Sequence, residues 1–419
     1  MGNSATAGEA DLRASIRELF ATPFVHEELT RVWAADAGEC PHPSSIYRAL
    51  GERGWLAPHW PHRYGGLDFS AYASATIAEE LALHGIPDSV RVNTIDNAGA
   101  TLLMAGTAEQ CGRYLPGMAR GATVFSVLYT EPDVGSDLGG MASRAAAVPG
   151  GWRLNGTKAW NARTSLAEYG ILAARVEGGS GNGSGNGNGS GNGSGIGRVS
   201  GNSYGSGGGG DGARFADIGL FIVPLDDPGV RVEPIDTINH ERLFRVRLRD
   251  VRLPGDALVG RPGQGWSLLT TALGLERTGI NFAGRARRWF DQLSAGLRAR
   301  GRLDEACRQH GLRRLDAEIQ AARLLSWRAV RDVDQGRPNA AAAAGAKWWA
   351  SELAQKVARL AWELLGPAPD PPDSDAHFPD LALAVREAPG LTLAAGTSEV
   401  LLTTVATELL DGGDPWEEF

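Results

Sequence analysis

Cysteine is scarce in this chain: Cys40, Cys111 and Cys307 are its only three. They are far apart and odd in number, which speaks against a disulfide framework or a thiolate metal site and leaves them as reduced core or surface thiols. No apolar run approaches the ~20 residues of a membrane span. Met1 to Asp11 lacks a basic segment followed by a hydrophobic one, so the expectation is a cytoplasmic protein without a membrane partner. Basic charge is not in surplus either: 41 Lys and Arg stand against 49 Asp and Glu, a net charge of -8. That balance gives no electrostatic case for nucleic acid. No His/Cys cluster has the spacing of metal ligands.

What is present is ample length for two or three domains, 419 residues, with apolar and charged fractions of a globular protein. From Leu12 to about Ala119 the apolar residues fall at helical spacing, with turn signals at Pro41 to Pro43, His62 to Gly66 and Gly85 to Pro87. The pattern then changes to short β-compatible runs, Val124–Leu128, Trp152–Leu154, Gly170–Val176, Gly219–Val223 and Arg245–Arg252. Between them lies 178–212, almost wholly Gly, Asn and Ser, which cannot bury enough apolar surface to offset its ordering entropy and reads as a mobile loop. From Gly263 to about Leu410 the helical pattern returns, with one long helix expected over Ala343–Leu365 before Gly366-Pro367. The expected division is a helical domain over 1–122, a β-domain over 123–253 and a helical bundle over 254–419.

Two motifs stand out in the β-domain. The first is Tyr129-Thr130-Glu131-Pro132-Asp133-Val134-Gly135-Ser136-Asp137, and the second is Asn155-Gly156-Thr157-Lys158-Ala159-Trp160. Read from the residues, they are glycine turns on strand ends, with hydroxyls as donors and acceptors and Trp160 as a flat wall, which suits a flat polar ring. Alone, each is equally well an ordinary hairpin turn with a core tryptophan.

In order and at this spacing the pair resembles the signature of the acyl-CoA dehydrogenase family, as do Gly54-Trp55-Leu56-Ala57-Pro58 with Tyr64-Gly65-Gly66, and Gly106-Thr107-Ala108-Glu109-Gln110 leading to Tyr114-Leu115-Pro116. The resemblance covers nearly the whole chain. It implies an α+β multidomain fold: a helical N-terminal domain, a central β-domain and a C-terminal four-helix bundle. It implies FAD as cofactor, contacted by Tyr129, Thr130, Gly135, Ser136, Trp160, Asn161, Ala162, Thr397 and Glu399. Ser136 and Arg277 are implied at the substrate, an acyl thioester, with an external electron acceptor and a homo- or hetero-oligomeric assembly.

The chemistry requires a base for the α-proton. One family location is the residue before Gly396-Thr397-Ser398-Glu399, but Ala395 stands there. The other is the glutamate of Leu273-Gly274-Leu275-Glu276-Arg277, as in enzymes resembling isovaleryl- and long-chain acyl-CoA dehydrogenases, so Glu276 is the expected base. On a helix its neighbours at three and four residues are Ala272, Leu273, Gly279 and Ile280, none of them charged. Such a face would desolvate the carboxylate and raise its proton affinity. A structural glutamate paired with a basic side chain of another helix is the competing reading.

Several family positions differ. Ala162 stands where a Ser or Thr usually follows the tryptophan, Arg298 to Arg302 lacks the Arg-x-x-Phe-Gly stretch, Gly366-Pro367-Ala368-Pro369 replaces Gly-Gly-x-Gly-Tyr, Leu401-Leu402-Thr403 lacks the usual arginine, and Gly274 stands in place of an aspartate. The expected activity is FAD-dependent α,β-dehydrogenation of an acyl thioester. The alternatives are a catalytically weak subunit that supplies part of a flavin site to a partner chain, and a flavoprotein of the same fold with oxidase, hydroxylase or non-redox chemistry. His240-Glu241-Arg242 reads as an exposed hairpin, and Trp348-Trp349 as packing residues.

Overall fold

A computed structural model describes residues 11–33, 40–177, 212–239, 241–366 and 381–410, with residues 212, 213, 275, 276, 308, 381 and 382 described by backbone alone. Residues 178–211 of the expected mobile loop and His240 therefore lie outside the described residues.

Helices build the N-terminal part: α1 (Leu12–Phe20), α2 (Pro23–Trp33), α3 (Ser44–Glu52) and α4 (Ala71–Leu83). α1, α2 and α3 turn apolar stripes inward, as α1 does with Leu12, Ile16, Leu19 and Phe20, whereas α4 is buried on several sides. Charge also joins α4 to its neighbours. Buried Glu79 accepts from Arg323 Nε at 2.6 Å and Trp327 Nε1 at 3.0 Å, linking this part to the C-terminal helices. After Ser89–Arg91 the helix winds as a π-helix over Val92–Gly99 and then continues as α5 (Ala100–Ala105). α6 (Ala108–Ala119) starts at a capping box between Thr107 and Gln110. Gln110 Nε2 also donates to the carbonyls of Asp256 and Leu258 at 2.7 and 3.0 Å, which fixes α6 against the sheet.

The sheet holds β1 (Phe125–Leu128), β2 (Arg144–Val148), β3 (Gly151–Ala162), β4 (Tyr169–Glu177), β5 (Ile218–Pro224), β6 (Val230–Ile235), β7 (Leu243–Pro254) and β8 (Leu258–Val259). Its order is β6-β7-β3-β2-β4-β5-β8, and β1 pairs in parallel with β4 beyond the end of β2. Three strands escape the sequence pattern for physical reasons. β2 is alanine-rich and carries little β-propensity, β6 contains Pro234 and sits at the sheet edge where a missing N–H is tolerated, and β8 has two residues.

Asn155-Gly156 is not a turn, contrary to the sequence reading. It lies inside β3, with a register shift against β7 between Leu154 and Gly156. A Cβ on Gly156 would come within 2.6 Å of the Ser143 Cβ, so glycine lets β3 pass close to the segment entering β2.

The C-terminal part contains α7 (Gly265–Glu276), α8 (Ile280–Ala299), α9 (Leu303–Gln309), α10 (Leu312–Asp334), α11 (Ala340–Leu365), α12 (Leu381–Leu391) and α13 (Ser398–Leu410). α11 is the hub, packed by α8, α10, α12 and α13. α7 instead lies against the sheet and the π-helix, and a Cβ on its first residue, Gly265, would meet the Ile218 carbonyl oxygen at 2.4 Å.

Candidate active site

The two β-domain motifs are joined by a buried ion pair. Glu131 accepts from Lys158 Nζ at 2.8 Å and from the backbone amides of Ala142 and Ser143 at 2.7 and 2.9 Å. Lys158 Nζ also donates to the Tyr129 carbonyl at 3.0 Å, and the Ala159 amide to the Thr130 carbonyl at 3.0 Å. Burial pushes the Lys158 ammonium down to about 8, partly offset by Glu131. Burial works the other way on Glu131, but Lys158 and the surrounding donors outweigh it and hold that carboxyl below its usual range. Both motifs contain one partner of this pair, a coupling that the sequence reading did not draw.

Just beyond the pair, β3 is bent out of its register. A second shift against β7 lies between Lys158 and Asn161, and Trp160 within it has φ 63°, a left-handed conformation that bulky residues avoid. The consequence is an indole 51% exposed, although the residues on either side, Ala159 and Asn161, are buried. Arg163 is also left-handed, at φ 52°. Its buried guanidinium donates to the Pro41 carbonyl and, at 3.1 Å each, to Ser89 Oγ and Glu241 Oε1. Glu241 is thus an anchor for the strand end and not part of a free exposed hairpin. Asn161 is used structurally too, its Nδ2 donating to the Phe244 carbonyl at 3.1 Å, while the Ala162 carbonyl accepts from Asn93 Nδ2 of the π-helix at 3.1 Å.

The residues of the first motif divide. The Tyr129 ring is buried in the core, whereas Gly135 and Ser136 are exposed. A Cβ on Gly135 would meet nothing within 4 Å, so the turn borders open space. Trp160 thus presents an exposed aromatic face at left-handed backbone, and the Gly135 turn in the segment between β1 and β2 borders open space. The residues present fit an isoalloxazine ring in that sense.

Glu276 is the last residue of α7, and Gly279, at φ 81°, turns the chain into α8. The expectation that Gly279 and Ile280 share a helical face with Glu276 therefore does not hold. A Cβ at Gly279 would come within 2.9 Å of the Lys347 backbone nitrogen, so the chain reverses here because glycine lets it pass α11. Ala395 and Gly396 lie on the turn between α12 and α13. A Cβ on Gly396 would sit 3.5 Å from the Arg277 guanidinium carbon, which puts the Glu276-Arg277 corner beside the Ala395-Gly396 turn. Lys347, wholly buried, donates to the carbonyls of Leu391 and Gly396 at 2.9 Å each and fixes that turn. It is a residue of this corner that the sequence reading missed, hidden by the alanine run around it. Thr397 Oγ1 accepts from the Val400 amide at 3.3 Å. Exposed Glu399 is held below its usual value by backbone and Thr397 hydrogen bonds, so both cap α13.

Trp348 and Trp349 line an apolar groove of about 490 Å³ with Leu324, Leu325, Leu402 and Val405, away from the sheet motifs. Among the described residues there is no cluster of three or more His, Cys, Asp and Glu that could hold a metal, and no helix is long and apolar enough to cross a membrane.

Comparison with known proteins narrows the class. Three family models match in succession: acyl-CoA dehydrogenase N-terminal domain over residues 6–122, middle domain over 126–188 and C-terminal domain over 263–410. The chain belongs to the acyl-CoA dehydrogenase family, whose members use FAD, and is an acyl-CoA dehydrogenase-type oxidoreductase. Among similar proteins, acyl-CoA dehydrogenase FadE26 of Mycobacterium tuberculosis is 28% identical over 87% of this chain and 86% of its own. FadE29 of the same organism is 27% identical over 96% of each. A solved structure described as the Tcur3481-Tcur3483 steroid ACAD is 27% identical, with a TM-score of 0.79 over 98% of this chain and 99% of that one. An acyl-CoA dehydrogenase from Geobacillus kaustophilus shares the fold at 22% identity and a TM-score of 0.78, over 98% of this chain and 100% of that one.

Proposed function

We propose that the protein catalyses α,β-dehydrogenation of an acyl thioester with Glu276 as the base that removes the α-proton. The observation that carries this is the position of Glu276 at the C-terminal end of α7, beside the Ala395-Gly396 turn. The two places where the family carries a base thus meet in one corner, and Glu276 supplies the carboxylate that Ala395 lacks. The C-terminal end of a helix carries about half a negative charge, which disfavours a carboxylate anion and raises its proton affinity, as a general base requires.

FAD, when bound, supplies the acceptor for the hydride leaving the β-carbon. Trp160, Gly135 and Ser136 would hold its ring, with Thr130, Asn161 and Ala162 contributing backbone beside it. Ser136 and Arg277 are proposed to orient the thioester, and donors at its carbonyl acidify the α-carbon by stabilising the developing enolate. Glu276 takes the proton at its carboxylate. The proposed setting is the cytoplasm, with an external electron acceptor.

The test is a panel of acyl-CoA thioesters with an artificial electron acceptor, including ring-bearing acyl groups because one similar structure is described as a steroid ACAD. Flavin bleaching by at least one thioester is expected, and Glu276→Gln should retain colour but lose bleaching by about 10²-fold or more. An unchanged bleaching rate in that variant would remove Glu276 from the role.

A second reading, that the chain shares its flavin site with an unlike partner, is favoured by Ala162 and by the altered bundle residues. Two similar structures are described as pairs, Tcur3481-Tcur3483 and the ChsE4-ChsE5 complex from Mycobacterium tuberculosis. Protein that purifies colourless and gains flavin only with a second chain would support it.

A further inference from the structure

Asp88 and Ser89 are adjacent residues between the Gly85 to Pro87 turn and the π-helix, and the proposed chemistry uses neither. Each ties a different part of the site to this one segment. Ser89 Oγ donates to Glu241 Oε1 at 3.0 Å and accepts from Arg163 Nε at 3.1 Å. Arg163 Nε also donates to that Glu241 oxygen at 3.1 Å, so the three side chains close a triangle. Arg163 stands three residues past Trp160, buried at φ 52°, a conformation that persists where its surroundings over-determine it. Four residues past Ser89, Asn93 Nδ2 donates to the Ala162 carbonyl at 3.1 Å. The strand end that carries the exposed indole is thus held from both Ser89 and Asn93.

Asp88 reaches the other way. Its buried carboxylate accepts from Asn281 Nδ2 at 3.0 Å and from the Arg285 guanidinium, both in the first turns of α8, just after the Gly279 reversal. Arg285 Nε also meets Glu387 Oε1 at 3.3 Å on α12, the helix that leads into the Ala395-Gly396 turn. Burial pushes the Asp88 carboxyl up, but Arg285 and Asn281 outweigh it and hold the group below its ordinary range. Burial pulls the Arg285 guanidinium down, and Asp88, Glu387 and Glu241 together raise it above its ordinary value. Glu241 therefore acts on both the Arg163 side and the Arg285 side, and the two sets of contacts form one charged network around Asp88 and Ser89.

We propose that Asp88 and Ser89 are positioning residues: as neighbours on one short segment they hold the Trp160 wall and the Glu276 corner at a fixed separation. This rests on the reading of Glu276 as the base. Dehydrogenation removes a proton and a hydride from adjacent carbons, so the base and the ring site, which lie on different parts of the chain, must both be in place at once. A displacement of about 1 Å between them can cost on the order of 10²-fold in rate. Apolar packing alone is non-directional, whereas hydrogen bonds between charged groups fix direction as well as distance.

The test uses FAD-loaded protein and the acyl-CoA that bleaches the wild type fastest. Ser89→Ala and Asp88→Asn should each slow single-turnover bleaching about tenfold, while flavin content and the thioester dissociation constant from calorimetry change by less than about twofold. Ser89→Thr, which keeps the hydroxyl, should recover most of the rate. The double variant should be no slower than the slower single one, because the separation can be lost only once. Losses that multiply, or that fall on flavin content or thioester affinity and not on rate, overturn the proposal. Asn281→Ala, which leaves Arg285 on Asp88, serves if Asp88→Asn fails to fold. A readout free of turnover is the change in flavin absorbance on adding a 2-enoyl-CoA, the product class. It should be altered in Ser89→Ala and restored in Ser89→Thr, and an identical response in wild type and both variants overturns the proposal. No bleaching of the wild type by any thioester sinks the dehydrogenase reading, and the absorbance response still decides the role of Ser89.

Discussion

Lys158 Nζ lies 2.8 Å from Glu131 Oε1, with both side chains buried and each contributed by a different motif of the sheet. Removing one partner of such a pair is costly, about 3–5 kcal/mol, because the other charge is left uncompensated. Glu131→Gln is therefore expected to lower the melting temperature and the flavin content together, and Glu131→Gln with Lys158→Met to recover much of the stability. The pair also predicts acid sensitivity. Glu131 is held below its ordinary value of 4.5, so the unfolded chain takes up the proton first. Its contribution is fully present above that pH and lost as the pH falls through the folded value. Thermal unfolding followed from pH 7 to pH 3 should show a shallower acid-side decline in the Gln variant.

Trp160 separates stability from cofactor binding. Left-handed backbone at a bulky residue costs ~1–3 kcal/mol, and glycine adopts it freely. Trp160→Gly should leave the flavin-free protein no less stable while FAD binds roughly tenfold more weakly for want of the aromatic wall. A matched pair of flavin titration and flavin-free melting curves checks this, and a large loss of flavin-free stability would mean that the indole is a packing residue.

The proposed base can be moved. Adding Ala395→Glu to Glu276→Gln should restore part of the bleaching lost in the single variant. Recovery is expected to be incomplete, because the carboxylate then arrives from the turn between α12 and α13, at a residue of φ 55°, and not from the end of α7. Single-turnover bleaching of the two variants makes the comparison.

Lys347→Met removes the donor to Leu391 and Gly396 while keeping an unbranched side chain. We expect about 2 kcal/mol of destabilisation and easier proteolysis between α12 and α13. Limited proteolysis mapped by mass spectrometry reads the second effect.

The groove beside Trp348 is nearly wholly apolar, and Leu324 on its rim is 66% exposed. Such a surface suits subunit contact. Leu324→Glu is expected to reduce the assembled mass measured by light scattering, with the melting temperature of the remaining species little changed.

Much of this was legible in the sequence. The helical, β and helical succession follows from periodicity, and the long helix near Ala343 was displaced only at its start, Ala340. The signature motifs led to Trp160 and Gly135. Pairings across the fold were not legible, since Glu131 with Lys158 or Arg163 with Glu241 are set by strand register. Nor was the end of α7: Gly279 between Thr278 and Ile280 looks like a tolerated helix glycine, and only the proximity of the Lys347 backbone shows why the chain must turn there.

Lys347 touches both halves of the corner, with its backbone against Gly279 after Glu276 and its ammonium on the carbonyls of the turn that holds Ala395. The proposed base and the position proposed as its alternative are thus mounted on a single residue of α11. Exchanging one for the other changes which side chain arrives and leaves the mount alone, so a lineage could relocate its proton acceptor without rebuilding the scaffold around it.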